Sequence, residues 1–158
     1  MNSTIQHNGR TFTVRIEHDD CGDAPWDRGD CHGIVRCVRV YGGLKYEGLK
    51  RPGERVLHSD RWTYWLYDWQ ATAVKARKVW GCTDVHQALT DDFARLRGWL
   101  RDDWSYVGVI VTPDDDPDAV GESLWGIESD CTEYIQQVAW ELAEQCEPAY
   151  VHMVGVSC

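Results

Sequence analysis

The feature that most constrains this chain is the way its periodic segments are grouped. Five strand-like stretches come first, two helical stretches follow, and two more strands precede a last helix. A β-β-β-β-β-α-α-β-β-α order leaves no alternation of strand and helix from which to build a parallel sheet. It predicts an α+β fold, with an antiparallel sheet and three helices packed on one face. At 158 residues the chain is expected to form a single domain, 1–158, with a basic Gly-rich loop insertion near 41–55.

Local signals place the elements. Asn8-Gly9 supplies the positive φ angles of a tight hairpin joining 3–7 to 10–18. In the second strand Phe12, Val14 and Ile16 alternate with Thr11, Thr13, Arg15 and Glu17, so one face is buried and the other wet. An acidic loop over 19–33 leads to a strand at 34–41, and strands at 56–58 and 62–67 follow the basic insertion. Asp68 is placed to cap a helix in which Trp69, Ala73, Ala76 and Trp80 share a face, with Gly81 as its C′ residue. Thr83 is expected to open a second helix, buried through Val85, Leu89, Phe93, Leu96 and Leu100, with Thr90-Asp91-Asp92 offering a break. Val107, Val109 and Val111 mark a strand, 113–118 turns the chain, and 122–128 returns. Asp130 and Glu133 have capping-box spacing for a third helix that faces inward through Ile135, Val138, Ala139, Leu142 and Cys146. Pro148 follows its end, and 149–154 reads as a short last strand or a docked tail.

Charge is distributed unevenly. The net charge of −10 disfavours duplex nucleic acid as a direct ligand. Residues 1–80 carry 13 Lys and Arg against 10 Asp and Glu, whereas residues 81–158 carry 3 against 16. Such segregation favours oriented encounters with a partner of complementary charge. The expected acidic face comprises Asp102, Asp103, Asp114, Asp115, Asp116, Glu141 and Glu144.

Nine tryptophans against two phenylalanines is a second bias. Trp69, Trp80, Trp99 and Trp125 are read as core. The 62–69 segment is read as a binding element, because Trp62 and Tyr64 fall on one strand face and Trp65 and Tyr67 on the other. If helices cover one face, the other keeps Thr11, Thr13 and Arg15 beside one of these aromatic pairs, an exposed patch through which two copies could also pair. An alternative site is basic: Tyr41, Lys45, Tyr46, Lys50, Arg51 and Arg55 combine cations with rings, suited to a nucleotide or another phosphorylated small molecule.

Catalytic and metal signals are weak. Cys21, Cys31, His32 and Cys37 form a local group of soft ligands without the C-x2-C spacing of a zinc knuckle, so no cofactor is expected. His58-Ser59-Asp60 and Cys31-His32 are neighbours along the chain, whereas nucleophile, base and orienting group normally come from separate elements. A small hydrolase or metal enzyme using His18, His58 or His86 as base is the third reading. No apolar run is long enough for a membrane span, and the first 20 residues lack the basic and apolar regions of an export signal.

Several stretches carry a resemblance. Asp20–Trp26 (DCGDAPW), Lys50–Leu57 (KRPGERVL), Trp99–Val111 (WLRDDWSYVGVIV) and Glu122–Ser129 (ESLWGIES) resemble a family of small acidic proteins encoded by tailed, mostly temperate bacteriophages. The segment between Tyr41 and Leu49 is longer than this resemblance leads one to expect. The resemblance implies a phage accessory gene product acting in the host bacterial cytoplasm, and it carries over no catalytic residue. Twelve Arg against four Lys, with only two Asn, suits a GC-rich genome. The function expected on these grounds is stoichiometric binding: an acidic surface anchored by Trp62, Tyr64, Trp65 and Tyr67 docks on a basic host protein and inhibits a defence or nucleic-acid-handling function.

Overall fold

The computed structural model describes residues 2–41, 50–116 and 118–146. The chain divides into two compact units: residues 23–103 form one, inserted between the two segments, 1–22 and 104–158, that make the other.

The unit built from the chain ends has a four-stranded antiparallel sheet in the order β1 (Asn2–His7), β2 (Arg10–His18), β6 (Tyr106–Pro113), β7 (Glu122–Glu128). Asn8 and Gly9 adopt positive φ (49° and 76°), as the hairpin demands. The alternation read in β2 sets the sheet's inner face: Phe12, Val14 and Ile16 lie opposite Pro113, Val111 and Val109. Helix α3 (Thr132–Gln145) covers that face with Ile135, Val138, Ala139 and Leu142. Full burial of a side chain such as Phe12 or Val109 contributes roughly 1.5–3 kcal/mol each.

The inserted unit has a three-stranded antiparallel sheet in the order β3 (Val35–Arg39), β5 (Thr63–Asp68), β4 (Glu54–Ser59). Helices α1 (Trp69–Lys78) and α2 (Val85–Leu100) enclose its core of Leu57, Tyr67, Ala76, Leu89 and Leu96, with Trp65, Trp69, Trp80 and Phe93 packed around it. Asp68 caps α1 by accepting from the Ala71 N–H at 2.9 Å, and Gly81 takes the positive φ (66°) expected past the helix end.

The α+β class is as the element order predicts. Its finer arrangement differs. There are two sheets, with α3 on one and α1 and α2 on the other, where one sheet under three helices is expected. Within the span expected as one domain the chain divides into two compact units. Alternation reveals which face of a strand is buried but not which strand lies beside it, so β2 pairs β6 across an intervening unit without any local signal. Three smaller expectations also change. Asp84, not Thr83, caps α2 through the Gln87 N–H. That helix runs unbroken through Thr90, whose hydroxyl donates back to the His86 carbonyl at 2.8 Å. Cys131, not Asp130, occupies the N-cap of α3 and makes no side-chain cap.

Lys45 and Tyr46 lie outside the described residues, as do Pro148 and the 149–154 segment. Among the described residues no helix is long and apolar enough to cross a membrane.

Candidate functional site

The unit formed by the chain ends holds two arginines against 14 Asp and Glu, a net charge of −12, and residues 104–158 contain no Lys or Arg at all. Both arginines are engaged with carboxylates. Arg10 clasps Asp115 with two bonds, Nη2 at 2.7 Å and Nε at 2.9 Å, and Arg15 lies 3.3 Å from Glu17. The Arg10 hydrogen bonds hold the Asp115 carboxyl below its ordinary range. Its neighbours also have local work: Asp114 accepts from the Thr13 hydroxyl at 2.6 Å, and Asp116 accepts from the Asp118 N–H at 3.2 Å. The aspartate turn is thus laced to the first hairpin, while Glu141 and Glu144 stand exposed on α3, Glu141 accepting from Gln137 one turn earlier.

Three exposed aromatics share this unit with the carboxylates. On α3, Tyr134 and Trp140 are 49% and 45% exposed, and Trp140 meets the His7 ring of β1 edge-on at 5.7 Å. Trp125 is 46% exposed, although its strand position is read as core. The cause is a bulge. Val107 pairs Ile127 and Val109 pairs Leu124, so Trp125 and Gly126 together oppose Gly108, with Gly126 at φ +79°. The indole then lies on Gly108, where a β-carbon would sit within 2.6 Å of three of its ring atoms. Gly108→Ala should therefore push the ring off the sheet and cost about 1–3 kcal/mol, as overpacked sites do. An unmoved Trp125 indole N–H resonance in that variant would show the ring is not seated there.

The inserted unit redistributes the other expected anchors. Tyr67 is completely buried and donates its hydroxyl to Asp92 at 2.8 Å, so it is a core residue with no surface to offer a partner. Burial, reinforced by the Asp92 charge, pushes the Tyr67 phenol up, which keeps it a donor. Trp65 packs against the same core and tilts over the His58 ring at 5.5 Å, and Tyr64 is half-buried. Of the four, Trp62 alone is well exposed, at 55%, with the Arg61 guanidinium 4.8 Å above its ring. Thr11, Thr13 and Arg15 belong to the other sheet, so the single aromatic sheet face that would pair two copies does not form as expected. Asp102 and Asp103 follow α2 at the end of the inserted unit, whereas the other carboxylates of the expected acidic face belong to the unit of the chain ends.

The soft-ligand group does not assemble as a knuckle. Cys31 and Cys37 are exposed, Cys21 belongs to the other unit, and His32 turns Nδ1 to Asp92 at 2.8 Å. Asp92 also accepts from the Gly33 N–H at 2.9 Å, while Lys75 donates to the His32 carbonyl at 2.8 Å. This network ties the 28–34 loop to both helices. Among the described residues one group of potential ligand atoms converges, Glu128, Asp130 and Cys131 before α3, with the last two exposed. The remaining sequence candidates for a base are dispersed: His18 lies 3.6 Å from Asp20, and His86 packs on the edge of Trp69.

The basic candidates fare differently. Lys50, Arg51 and Arg55 are exposed around the start of α1, and the Arg55 guanidinium lies 3.8 Å above the Trp69 ring. Tyr41 is 70% exposed in a shallow groove with Arg39 and Trp62 and does not line the groove beside Arg55. The ring beside Arg55 is thus Trp69, where Tyr41 is the expected one. Arg55 lies in β4 and Trp69 directly follows β5, and it is the register of Arg55 opposite Tyr67 that brings the two together, which no local sequence signal announces.

No family model matches the chain, and no curated protein or solved structure matches it.

Proposed function

We propose that this protein is a phage accessory protein that acts by stoichiometric attachment to a host bacterial protein, occluding a basic surface that ordinarily holds nucleic acid. The observation that carries the reading is charge segregation onto one compact unit: 14 carboxylates against two arginines, both already engaged with carboxylates, with Trp125, Tyr134 and Trp140 exposed among them. A surface of one sign steers a complementary partner and sets orientation, while half-exposed aromatic rings supply the desolvated anchors that charge alone does not. The local sequence resemblance to small acidic phage proteins supports the same assignment. In this reading the protein makes and breaks no covalent bond. Its anchors move from Trp62–Tyr67 to the aromatics of α3 and β7, with Glu141 and Glu144 beside them.

The test is capture from host lysate with the full-length protein as bait. A nucleic-acid-binding host protein should be retained at about 0.05 M salt, released by about 0.5 M as charge screening shortens, and displaced by excess duplex DNA. Retention indifferent to both salt and DNA would overturn the acidic-face mechanism. With the captured partner purified, Trp140→Ala should weaken binding by about 30-fold, as loss of a hot-spot ring does. Its own unfolding should shift by only about 1–2 kcal/mol, the packing of the buried half of the ring.

A further inference from the structure

The basic groove of the inserted unit has a separate logic. It is an open groove of ≈ 330 Å³ lined by Lys50, Gly53, Glu54, Arg55, Trp69 and Gln70. Its electrostatics follow from how its carboxylate is used. Glu54 is buried and receives both Nε and Nη2 of Arg36 at 2.8 Å, along with the Arg51 N–H at 2.8 Å. That charge is neutralised internally. Lys50, Arg51 and Arg55 are then left around the groove, and among the described residues none of the three forms an ion pair. Asp68, at the adjoining helix start, spends its carboxylate on the Ala71 N–H.

Arg55 is also held in place. Its guanidinium rests 3.8 Å over Trp69, and Trp69 is itself wedged edge-on against Tyr67 at 5.8 Å and His86 at 6.2 Å, with Phe93 tilted at 6.0 Å. A guanidinium stacked on a fixed ring keeps its N–H donors around its rim, where they can bond oxygens, and loses less freedom when an anion arrives. Planar donors of this kind match phosphate oxygens two at a time, and a lysine adds a point charge. The outer face of the stacked guanidinium is the surface on which a nucleobase stacks in many nucleotide sites.

We propose that this groove binds a small polyphosphate-bearing ligand, with Arg55 and Lys50 as the phosphate contacts and Arg51 adding long-range attraction. The site is independent of the acidic surface and of any protein partner. Its volume, near the lower bound of about 300 Å³ for small-molecule sites, suits a diphosphate or triphosphate arm rather than a large buried ligand.

Calorimetric titration of the full-length protein with pyrophosphate, tripolyphosphate and ATP at about 0.1 M salt tests this. Pyrophosphate or tripolyphosphate should bind saturably at one site per chain. Arg55→Ala should weaken binding at least tenfold, and Lys50→Ala, at an exposed residue, should weaken it by a similar factor. Lys78→Ala, at the far end of α1, should leave it unchanged. ATP binding within threefold of tripolyphosphate assigns recognition to the phosphates alone, and tenfold tighter binding adds a base stacked on Arg55; both support the site. Absence of saturable binding by all three probes overturns it, as does binding that survives both substitutions or falls equally in the Lys78 variant.

Discussion

Replacing Asp92 with alanine should lower the stability of the inserted unit by about 3–5 kcal/mol. This carboxylate, almost fully removed from water, accepts from three donors: the Tyr67 hydroxyl at 2.8 Å, His32 Nδ1 at 2.8 Å and the Gly33 N–H at 2.9 Å. Truncation strands all three, and each buried donor left without a partner costs about 1–3 kcal/mol. Geometry offers no easy relief. Gly33 sits against the Tyr67 ring so closely that a β-carbon there would lie 2.5 Å from it, so loop and ring move together or not at all. The paired variant separates network from packing. Tyr67→Phe removes one donor and leaves Asp92 with two, so it should cost only about 1 kcal/mol. Because the chain comprises two compact units, hydrogen exchange of β5 and α2 amides under native conditions reads the inserted unit separately. A loss below about 1 kcal/mol in Asp92→Ala would mean that the loop is held by something other than this carboxylate.

A second large effect should follow from Glu54. Its side chain is buried, the Arg36 fork and the Arg51 N–H satisfy it, and these bonds, the Arg36 bond foremost, hold its carboxyl below the ordinary glutamate range despite the opposing effect of burial. The Arg36 guanidinium is correspondingly held in its charged form by Glu54. Glu54→Ala leaves a partly buried guanidinium without its counter-ion, and breaking such a pair from one side costs about 3–5 kcal/mol. Proton linkage gives the same interaction a pH signature. The folded state binds the Glu54 proton more weakly than the unfolded state does. The contribution is therefore present in full above the unfolded value of about 4.3, and it is lost as pH falls through the lower folded value. The wild-type protein should lose stability below about pH 4.5 with a component that Glu54→Gln lacks. Identical acid limbs for the two proteins, measured by urea unfolding from pH 3 to 6, would remove Glu54 from the account.

Much of the fold is legible where a local rule has one outcome. Asn8-Gly9, the β2 alternation, the Asp68 cap, Gly81 and the inward faces of α2 and α3 all sit where their residues demand. The candidate sites are less legible. The 62–67 aromatics form a recognisable cluster, yet β5 is the central strand of its sheet, and a central strand buries a residue such as Tyr67 that an edge strand would display. Trp125 errs in the opposite sense. A bulge at Gly126 moves it onto the outer face over Gly108, and a bulge shifts register without changing composition. His32 and Asp92 are separated by 60 positions and nothing in either neighbourhood announces the other.

The residues by themselves determined the α+β class, the element order, the hairpin and helix termini, and the concentration of acid in the C-terminal half, since each depends on local backbone preference or simple counting. Tertiary structure decided that there are two sheets rather than one, that the acid belongs to the unit made by the chain ends, which tryptophans meet water, and that Arg55 rests on Trp69. Those outcomes depend on which strands lie side by side, and pairing between distant segments is chosen by the total burial and hydrogen bonding of the finished fold, which no short window of sequence contains.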